Sequence, residues 1–409
     1  MSATGTTSAA EPIGRYVERE WRSNPAGPTR RARRPGRYRA FVPDPIAARS
    51  FPLDDGASLA SHGATKALQH LQQAPRRIAT LGAVAQNLLR SESVASSRIE
   101  GVLISQKRLA RAGHLGPGRG PGGRQAGEVL GNVDAMRRAI EVGAQARPIG
   151  VEDLIEVHRL LLRFADDHGI AGIVRTTQNW IGGNDFNPIE ASFVPPPPER
   201  VPDLLEDLCR FVARDDLPPV TQAALAHAQF ETIHPFADGN GRVGRALIHA
   251  VLRRRGEVAG YVPPISLMLA AAPRSYVAGL TAYREGDVSE WCELFASAVE
   301  RASDEALNLA EAIEDLEAEW LARADRPRES SAARRLIAAL PEQPVFDTAA
   351  AQRLAGRSHV AVNNALRRLE DAGIVRRLNE RKWGRAWECT ELLELVEAFE
   401  ESVASPTSG

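Results

Sequence analysis

The chain is poor in lysine and cysteine. The few cysteines do not indicate a metal site or a disulfide framework. The only lysines among its 409 residues are Lys66, Lys107 and Lys382. Arginine and alanine are abundant instead, a coding bias typical of GC-rich bacterial genomes that carries no functional information. The three cysteines lie far apart and lack the close spacing of a zinc site. We therefore expect reduced thiols, without a disulfide framework.

Long apolar runs and net charge are also missing. No run is long enough to span a bilayer, and the N-terminus has no apolar core of a signal peptide, so we predict no membrane partner and a cytoplasmic location. The formal net charge is −1, which gives no overall field favouring nucleic acid. The hydrophobic content of 43% is ordinary for a globular protein, and the length allows two or three domains.

One stretch of twelve residues, His234 to Arg245, carries most of the recognisable chemistry and reads HPFADGNGRVGR. Apolar residues with helical spacing precede it from about 220 to 233 and follow it from about 242 to 253. The pattern predicts a helix, a tight loop and a second helix. Gly239 and Gly241 permit backbone conformations closed to other residues. Successive N–H groups in such a turn, together with the start of the second helix, form an anion-binding nest.

The side chains around this nest suit a magnesium nucleotide. Arg242 and Arg245 are three apart and share a face of the second helix, and their rigid guanidinium forks fit phosphate oxygens. Asp238 is a hard oxygen ligand of the kind that Mg²⁺ prefers. His234 has an ordinary pKa near neutrality and suits a general base. Each feature alone is common on protein surfaces, but their combination predicts a magnesium-nucleotide site with a base beside it.

These twelve residues resemble the signature of Fic-domain proteins, His-Pro-Phe-x-Asp-Gly-Asn-Gly-Arg-x-x-Arg, at every fixed position. Fic proteins typically transfer AMP from ATP to a Tyr, Thr or Ser hydroxyl of a target protein. The resemblance implies ATP as co-substrate, Mg²⁺ held by Asp238, and His234 as the base that deprotonates the hydroxyl. The phosphate-binding residues that it implies are Gly239, Asn240, Gly241, Arg242 for the β-phosphate and Arg245 for the γ-phosphate.

A second motif lies upstream, on a predicted helix over about 88–99. Residues Ser96 to Gly101 read SSRIEG and resemble the inhibitory motif Ser/Thr-x-x-x-Glu-Gly/Asn of many Fic proteins. The resemblance implies that Glu100 pairs with Arg245, misplaces the phosphates of ATP and leaves the free enzyme weakly active. The alternative is that Glu100 is a surface residue at a helix end beside a glycine cap.

The stretch from about 172 to 198 lacks helical periodicity. Its alternation of apolar residues with Gly and Asn predicts a β-hairpin. Fic proteins carry a hairpin flap at this place, whose edge holds the target peptide by β-augmentation near the base. The target-docking residues that this implies are Trp180, Ile181, Gly182 and Gly183. A simple connector is the alternative, although the stretch is long for an idle loop.

The C-terminal residues 332–400 predict a winged helix-turn-helix domain. The predicted reading helix carries His359, Asn363, Asn364 and Arg367. A basic hairpin follows it, with Arg376, Arg377, Arg381, Lys382 and Arg385. DNA binding is one interpretation. Contact within a homodimer or between domains is the other, because neighbouring acidic residues match some of these arginines.

The patterns together predict a mainly α-helical protein of three parts. An N-terminal helical region with the inhibitory motif covers 1–112, a Fic-type catalytic core with a small β-hairpin flap covers 128–322, and the winged-helix domain covers 332–400. We expect disorder over 1–13. Over the arginine-rich residues 14–39 we expect a solvated, partly extended segment that packs over the domain, because prolines oppose regular structure there; a nucleic-acid-binding arm is the alternative. We also expect a flexible loop over the glycine-rich residues 111–127.

The predicted function is protein adenylyltransfer, autoinhibited by Glu100. Two alternatives stay open. Within the same family, the scaffold also transfers UMP, phosphate or phosphocholine, or removes AMP. Outside catalysis, the chain could act as a DNA-binding regulator that uses its Fic core as a nucleotide sensor.

Overall fold

A computed structural model describes residues 11–73, 78–117, 122–166, 168–259, 262–379 and 385–404. Its described elements are mostly helical, as the apolar periodicity predicts. The helices are α1 (Arg30–Arg33), α2 (Asp55–Gln73), α3 (Ile78–Ile99), α4 (Gln106–Leu115), α5 (Gly123–Gly143), α6 (Val151–Leu161), α7 (Val201–Val212), α8 (Pro219–Ile233), α9 (Asn240–Arg254), α10 (Ile265–Ala271), α11 (Pro273–Glu285), α12 (Val288–Arg323), α13 (Ala332–Ala339), α14 (Thr348–Ala355), α15 (His359–Asp371) and α16 (Thr390–Ala404). The strands are β1 (Gly14–Trp21), β2 (Gly36–Pro43), β3 (Val345–Asp347), β4 (Arg376–Arg377) and β5 (Ala386–Glu388).

Helices α8 and α9 form the centre of the molecule. Almost every residue of both helices is buried, so neither shows the one-sided apolar face of a surface helix. Helix α8 packs against α7, α9 and α12, and α9 packs against α5, α6 and α3. The long helix α12 is anchored to α8 by Trp291, whose buried indole N–H donates to the Ala224 carbonyl at 2.9 Å. The loop between α8 and α9 is therefore held on a rigid support.

Helix α3 lies between this core and the C-terminal part of the chain. It contacts α5, α9, α10 and α12 on the core side and α13 and α16 on the other. Asn87 Nδ2 donates to the Pro341 carbonyl at 2.6 Å, and the Arg98 guanidinium lies 3.6 Å from the Glu400 carboxylate. The segment that carries the predicted inhibitory motif is thus held from two sides.

The N-terminal segment differs from the prediction of an extended segment without regular structure. Strands β1 and β2 pair antiparallel along their full lengths, from Gly14 with Pro43 to Trp21 with Gly36. The prolines that suggested irregular structure lie in the connection between the strands, where a missing N–H costs no ladder hydrogen bond. Residues 1–10 of the predicted disordered terminus lie outside the described residues, whereas Ile13 is buried.

The prediction of a β-hairpin with regular strands in the flap is wrong. Isolated bridges join Ile181 to Phe193, Asn184 to Asn187, and Val174 to Phe236 of the central loop. Asparagine side chains compete with a ladder for the backbone here. The Asn184 Oδ1, for example, accepts from the Phe186 N–H at 2.9 Å. The stretch from 172 to 198 is therefore an irregular flap with isolated bridges in place of strands.

The flap is supported by the N-terminal hairpin. The Phe41 N–H of β2 donates to the Val194 carbonyl at 2.8 Å, and Trp21 packs edge-on against Trp180 with ring centroids 5.3 Å apart. Glu190 of the flap pairs with the exposed Arg31 and Arg34 side chains. The N-terminal segment, which was predicted to lack regular structure, thus supports the flap.

The predicted long loop over 111–127 is also wrong in its extent. Helix α4 runs to Leu115 and α5 begins at Gly123, so both helices reach into the predicted loop. Residues 118–121 of it lie outside the described residues. Across the parts of the chain that the structure describes, no helix combines the length and apolarity needed to cross a membrane.

The C-terminal elements from α13 to β5 include a three-stranded antiparallel sheet in the order β3, β5, β4. Helix α15 begins after Ser358, whose hydroxyl caps it by accepting from the Ala361 N–H. Helix α16 then packs against α3, α4, α10 and α12. Of the predicted basic hairpin, Arg381 and Lys382 lie outside the described residues. The winged-helix assignment and the three domain boundaries stay predictions.

Candidate active site

The imidazole of His234 is placed by an unusual backbone conformation. Helix α8 ends at His234, whose φ of 50° lies in the left-handed region that residues other than glycine rarely adopt. The Arg175 guanidinium holds this turn: its Nε donates to the His234 carbonyl at 2.8 Å, and its Nη2 donates to the Pro196 carbonyl at 2.6 Å. Arg175 therefore connects the flap with the loop that follows α8.

The protonation state of His234 follows from its surroundings. Its Nδ1 lies 3.3 Å from the Glu231 carbonyl, and a carbonyl can only accept, so Nδ1 carries the proton and Nε2 keeps a free lone pair. Burial lowers the pKa of His234 to about 4. The ring is thus neutral at pH 7 and able to accept a proton at Nε2, as a general base must.

His158 of α6 braces the loop from the other side. The Gly172 N–H donates to its Nδ1 at 3.0 Å, so its Nε2 carries the proton and donates to the Asp238 carbonyl at 3.0 Å. Its ring stacks on Phe236 with centroids 3.9 Å apart. Burial lowers the pKa of His158 to about 4, which keeps this tautomer neutral. His158 therefore fixes the loop between His234 and α9.

Asn240 holds the loop closed with its side chain. Its Oδ1 accepts from the Phe236 N–H and its Nδ2 donates to the Phe236 carbonyl, both at 2.8 Å. The side chain is almost fully buried. The predicted place of Asn240 in a phosphate cradle therefore rests on its backbone N–H, because its amide is already engaged.

The start of α9 provides the anion nest. Gly239 precedes the helix with a φ of 77°, a conformation that glycine adopts without strain. The first N–H groups of a helix have no partners within it, and here they belong to Asn240, Gly241 and Arg242. The space above Gly241 is filled by the Glu100 carboxylate, which lies so close that a β-carbon at this position would overlap with it.

Glu100 and Arg245 form the ion pair that the inhibitory motif implies. Arg245 Nη2 donates to Glu100 Oε1 at 2.7 Å and to the Ser96 carbonyl at 2.8 Å, and its Nε donates to Ser96 Oγ at 2.9 Å. Arg245 is 1% exposed. Although burial raises the pKa of Glu100, the charge of Arg245 outweighs it and holds that pKa below its ordinary value. Glu100 directly follows α3, and Gly101 turns the chain away with a φ of 80°.

Arg242 and Asp238 lie at the mouth of the nest. The Arg242 side chain is only 6% exposed, its Nη2 lies 3.5 Å from Asp238 Oδ2, and its Nε has no hydrogen-bond partner. Such an unpaired buried donor fits an anionic ligand. The Asp238 side chain is 64% exposed. The residues that the structure describes hold no group of three or more His, Cys, Asp or Glu side chains arranged as a metal site, so Asp238 offers a single carboxylate.

The four predicted docking residues lie together at one edge of the flap. Ile181 is 44% exposed, its N–H donates to the Phe193 carbonyl at 2.9 Å, and its carbonyl accepts from the Ser192 N–H at 2.8 Å. Gly182 has a φ of 76°, so the extended backbone ends at Ile181. Gly183 follows with a φ of 76°. The docking role of these four residues stays a prediction.

Sequence reasoning missed His158, Arg175 and Glu231. His158 could have been found, because it lies on the apolar face of α6 with Leu154 and Leu161, where a histidine is unexpected. Nothing in the local sequence marks Arg175. Glu231 lies beside His234, with its Oε2 3.9 Å from His234 Nδ1, and burial raises the pKa of Glu231 to about 7.

Comparison with known proteins identifies two family matches. Residues 148–252 match the model of the Fic/DOC family, and residues 59–141 match that of the Fic/DOC family N-terminal region. The protein adenylyltransferase fic-1 of Caenorhabditis elegans is 31% identical over 199 residues, which are 46% of this chain and 35% of that protein. The protein adenylyltransferase Fic of Drosophila melanogaster is 33% identical over 181 residues, which are 43% of this chain and 33% of that protein. The chain thus spans about a third of the length of these relatives.

Two solved structures share the fold. A Fic family protein from Desulfovibrio desulfuricans G20 superposes with a TM-score of 0.52 at 20% identity, covering 83% of this chain and 97% of that one. A Fic domain containing signaling protein from Bacteroides thetaiotaomicron VPI-5482 gives a TM-score of 0.50 at 19% identity, covering 62% of this chain and 97% of that one. At this identity the likeness concerns the fold alone. The bacterial source expected from the composition stays a prediction.

Proposed function

Because residues 59–141 and 148–252 belong to the Fic/DOC family, we propose that the protein is a protein adenylyltransferase that transfers AMP from ATP to a side-chain hydroxyl of a target protein. The observation that carries the proposal is the position of a neutral imidazole next to an anion nest. His234 ends α8 and the nest begins α9, with five residues between them. Relatives 31–34% identical to this chain are named protein adenylyltransferases, which supports the same activity.

The chemistry is an in-line displacement at the α-phosphorus of ATP. The target hydroxyl oxygen forms a bond to that phosphorus, the bond to the oxygen bridging to the β-phosphorus breaks, and pyrophosphate leaves. The hydroxyl proton passes to Nε2 of His234, whose lone pair is free. The N–H groups at the start of α9 and the Arg242 guanidinium neutralise charge that builds on the phosphate oxygens. Little covalent chemistry is asked of the protein, so positioning accounts for most of the rate.

Asp238 is the residue that would hold Mg²⁺. An exposed single carboxylate fits this ion, which commonly binds one or two carboxylates together with substrate phosphates and water. The ion would neutralise phosphate charge beside the nest. Arg242, 3.5 Å from Asp238 Oδ2, keeps that carboxylate near the mouth.

The ion pair between Glu100 and Arg245 supports autoinhibition. The Glu100 carboxylate lies over Gly241, at the nest that the ATP phosphates require. Arg245 is already engaged by Glu100 and Ser96, so it is withheld from a γ-phosphate. The free protein should therefore transfer AMP slowly, and removal of the carboxylate should release it.

A nucleotide panel tests the proposal. Glu100→Gly protein is incubated with a lysate and Mg²⁺ plus ATP, UTP, GTP, CDP-choline or no nucleotide, and modified proteins are identified by mass spectrometry. We expect AMP on Tyr, Thr or Ser residues with ATP alone. Transfer of UMP, phosphate or phosphocholine in its place would assign another Fic reaction. Loss of AMP from a previously modified target would assign the reverse one.

DNA binding is a second candidate function, favoured by the exposed face of α15. His359, Asn364 and Arg367 are exposed on this helix. Against it, Arg377 pairs with Glu370 at 2.6 Å and Arg376 pairs with the buried Glu388 at 2.5 Å. A mobility-shift assay of the full chain and its Arg367→Ala variant on genomic fragments decides the matter. A shift that the variant weakens supports DNA binding, and no shift excludes it.

A further inference from the structure

Helices α3 and α9 meet through three polar contacts at regular spacing. The contacts join Glu92 with His249, Ser96 with Arg245, and Glu100 with Arg245 and Gly241. On each helix the residues are four apart and so share one face, and their numbers run in opposite directions because the helices are antiparallel. We call this set of six residues the polar seam.

The contact farthest from the active site contains a buried carboxylate. Glu92 and His249 are both fully buried. Glu92 accepts from His249 Nε2 at 2.8 Å, from the Ser266 N–H at 2.7 Å and from the Ser266 hydroxyl at 2.5 Å. Ser266 lies on α10. The carboxylate thus ties α3 to two neighbouring helices at once, and none of these three residues belongs to the catalytic loop.

A buried carboxylate with three directional donors tolerates little displacement. A shift of α3 by one turn, or a rotation about its axis, would leave Glu92 without donors in an apolar interior, which is costly. The other contacts of the seam follow the same helix. Ser96 is one turn beyond Glu92, and Glu100 is one turn beyond Ser96, just past the end of α3. The position of the Glu100 carboxylate therefore depends on how α3 is fixed at Glu92, in addition to the contact of Arg98 with Glu400.

We propose that Glu92, His249 and Ser266 are positioning residues that hold α3 in register against α9 and so keep the Glu100 carboxylate over the nucleotide site. This inference rests on the proposed function, since inhibition has meaning only for an enzyme that Glu100 restrains. It adds that inhibition depends on a cluster two helical turns from Glu100. Loosening that cluster releases the site even though Glu100 and Arg245 are unchanged.

The test compares four proteins in AMP transfer: wild type, Glu92→Ala, Glu100→Gly and the double variant. Glu92→Ala removes the acceptor of all three hydrogen bonds, so α3 loses its fixed register. We expect Glu92→Ala to raise transfer about three- to tenfold when Glu100 is present. We expect no further rise in the Glu100→Gly background, because the carboxylate that α3 positions is gone. An equal change in both backgrounds, or none in either, overturns the inference.

Variants of Ser266 and His249 show whether the effect of the Glu92 variant comes from misfolding. Ser266→Ala removes one hydroxyl donor and keeps the backbone N–H, so it should raise transfer by a smaller factor without lowering the melting temperature as far. His249→Gln retains a donor close to the place of Nε2 and should keep inhibition, whereas His249→Phe should release it. Equal activities for His249→Gln and His249→Phe contradict a role for this hydrogen bond.

A second readout separates this inference from the proposed function. Hydrogen exchange of the amides of residues 92–101, followed by mass spectrometry, should accelerate in Glu92→Ala and not in His249→Gln. If exchange accelerates while the Glu100→Gly protein transfers no nucleotide, the seam stands and the proposed function fails. If Glu100→Gly is active but exchange over 92–101 is unchanged in Glu92→Ala, the seam fails and the function stands.

Discussion

The side chains of the loop between α8 and α9 divide into those that shape it and those that face the ligand. Asn240 shapes it through two hydrogen bonds to the backbone of Phe236, and His158 supports it from α6 through the Asp238 carbonyl. Asp238 itself is mostly exposed. Asn240 and Asp238 stand two positions apart in the same motif but contribute in different ways. Substitutions at the two positions should therefore have different effects on stability and on activity.

Asn240→Asp should lower stability, because a carboxylate cannot donate to the Phe236 carbonyl and would repel it. We expect a loss of ~1–3 kcal/mol in the free energy of unfolding, measured by chemical denaturation. Asp238→Asn is the matched control: at an exposed position it should change stability by no more than about 0.5 kcal/mol. It should instead raise the Mg²⁺ concentration needed for activity. Equal losses of stability in the two variants would contradict this division.

The pH dependence of transfer should reflect the buried environment of His234. Burial lowers the pKa of this imidazole from 6.5 to about 4, and a base acts only when deprotonated. For Glu100→Gly, we expect no loss of kcat/KM as pH falls from about 8 to about 5.5, and a decline only as pH nears 4, because kcat/KM reports the groups of the free enzyme. A fall with a midpoint near 6.5 would mean that His234 is solvated in the free enzyme.

At the scale of elements, the account depends on how α3 meets α9. Arg245 is buried and its charge is met by Glu100. In Glu100→Gly this charge loses its partner, so the variant should be destabilised, by ~3 kcal/mol or more if the guanidinium stays dry. MgATP should then stabilise the variant more than the wild type, because a phosphate replaces the lost anion.

Thermal unfolding with and without MgATP measures this effect. The rise in melting temperature on adding MgATP should be larger for Glu100→Gly than for wild type. Ser96→Ala offers a comparison, since it removes one hydrogen bond to Arg245 but keeps Glu100 as the counter-charge. An equal rise in wild type and Glu100→Gly would show that Glu100 does not compete with the phosphates of ATP.

Some elements could be predicted from the sequence and others could not. Helices α8 and α9 have strong local signals in their apolar spacing and their glycine turn, and the pair of Glu100 with Arg245 follows from two motifs. The β1–β2 pairing could not be predicted, because the connecting segment is rich in proline and a strand pair is stabilised by its partner rather than by local pattern. The buried position of Glu92 could not be predicted for a similar reason. A glutamate within a helix is expected to be solvated unless its buried partners are known.

At the scale of the whole molecule, the C-terminal helix α16 is joined to α3 and α4 through Glu400. This carboxyl group is 3% exposed, accepts from Gln106 Nε2 at 2.5 Å and lies 3.6 Å from the Arg98 guanidinium. Trp320 and Arg323 of α12 similarly reach Glu391 of α16. The C-terminal elements therefore stabilise the position of α3 as well as their own.

Burial raises the pKa of Glu400 from 4.5 to about 7. This shift determines how the stability of the protein changes with pH. Between these values the folded protein binds a proton that the unfolded chain releases, so the contribution of Glu400 to stability falls as pH rises. Glu400→Gln removes the titration. Relative to wild type, the variant should gain on the order of 1–3 kcal/mol of unfolding free energy between pH 4.5 and pH 8. Chemical denaturation at both pH values measures it, and parallel pH dependences would contradict a buried, protonated Glu400.

The central claim is that His234 acts as a base on a hydroxyl held beside a triphosphate at the start of α9. The most direct measurement is the AMP transferred from labelled ATP by Glu100→Gly and by Glu100→Gly with His234→Ala, at equal concentration and with melting temperatures checked. We predict that the single variant labels protein and that the double variant loses labelling by at least about a hundredfold. Equal labelling by the two proteins would contradict the account.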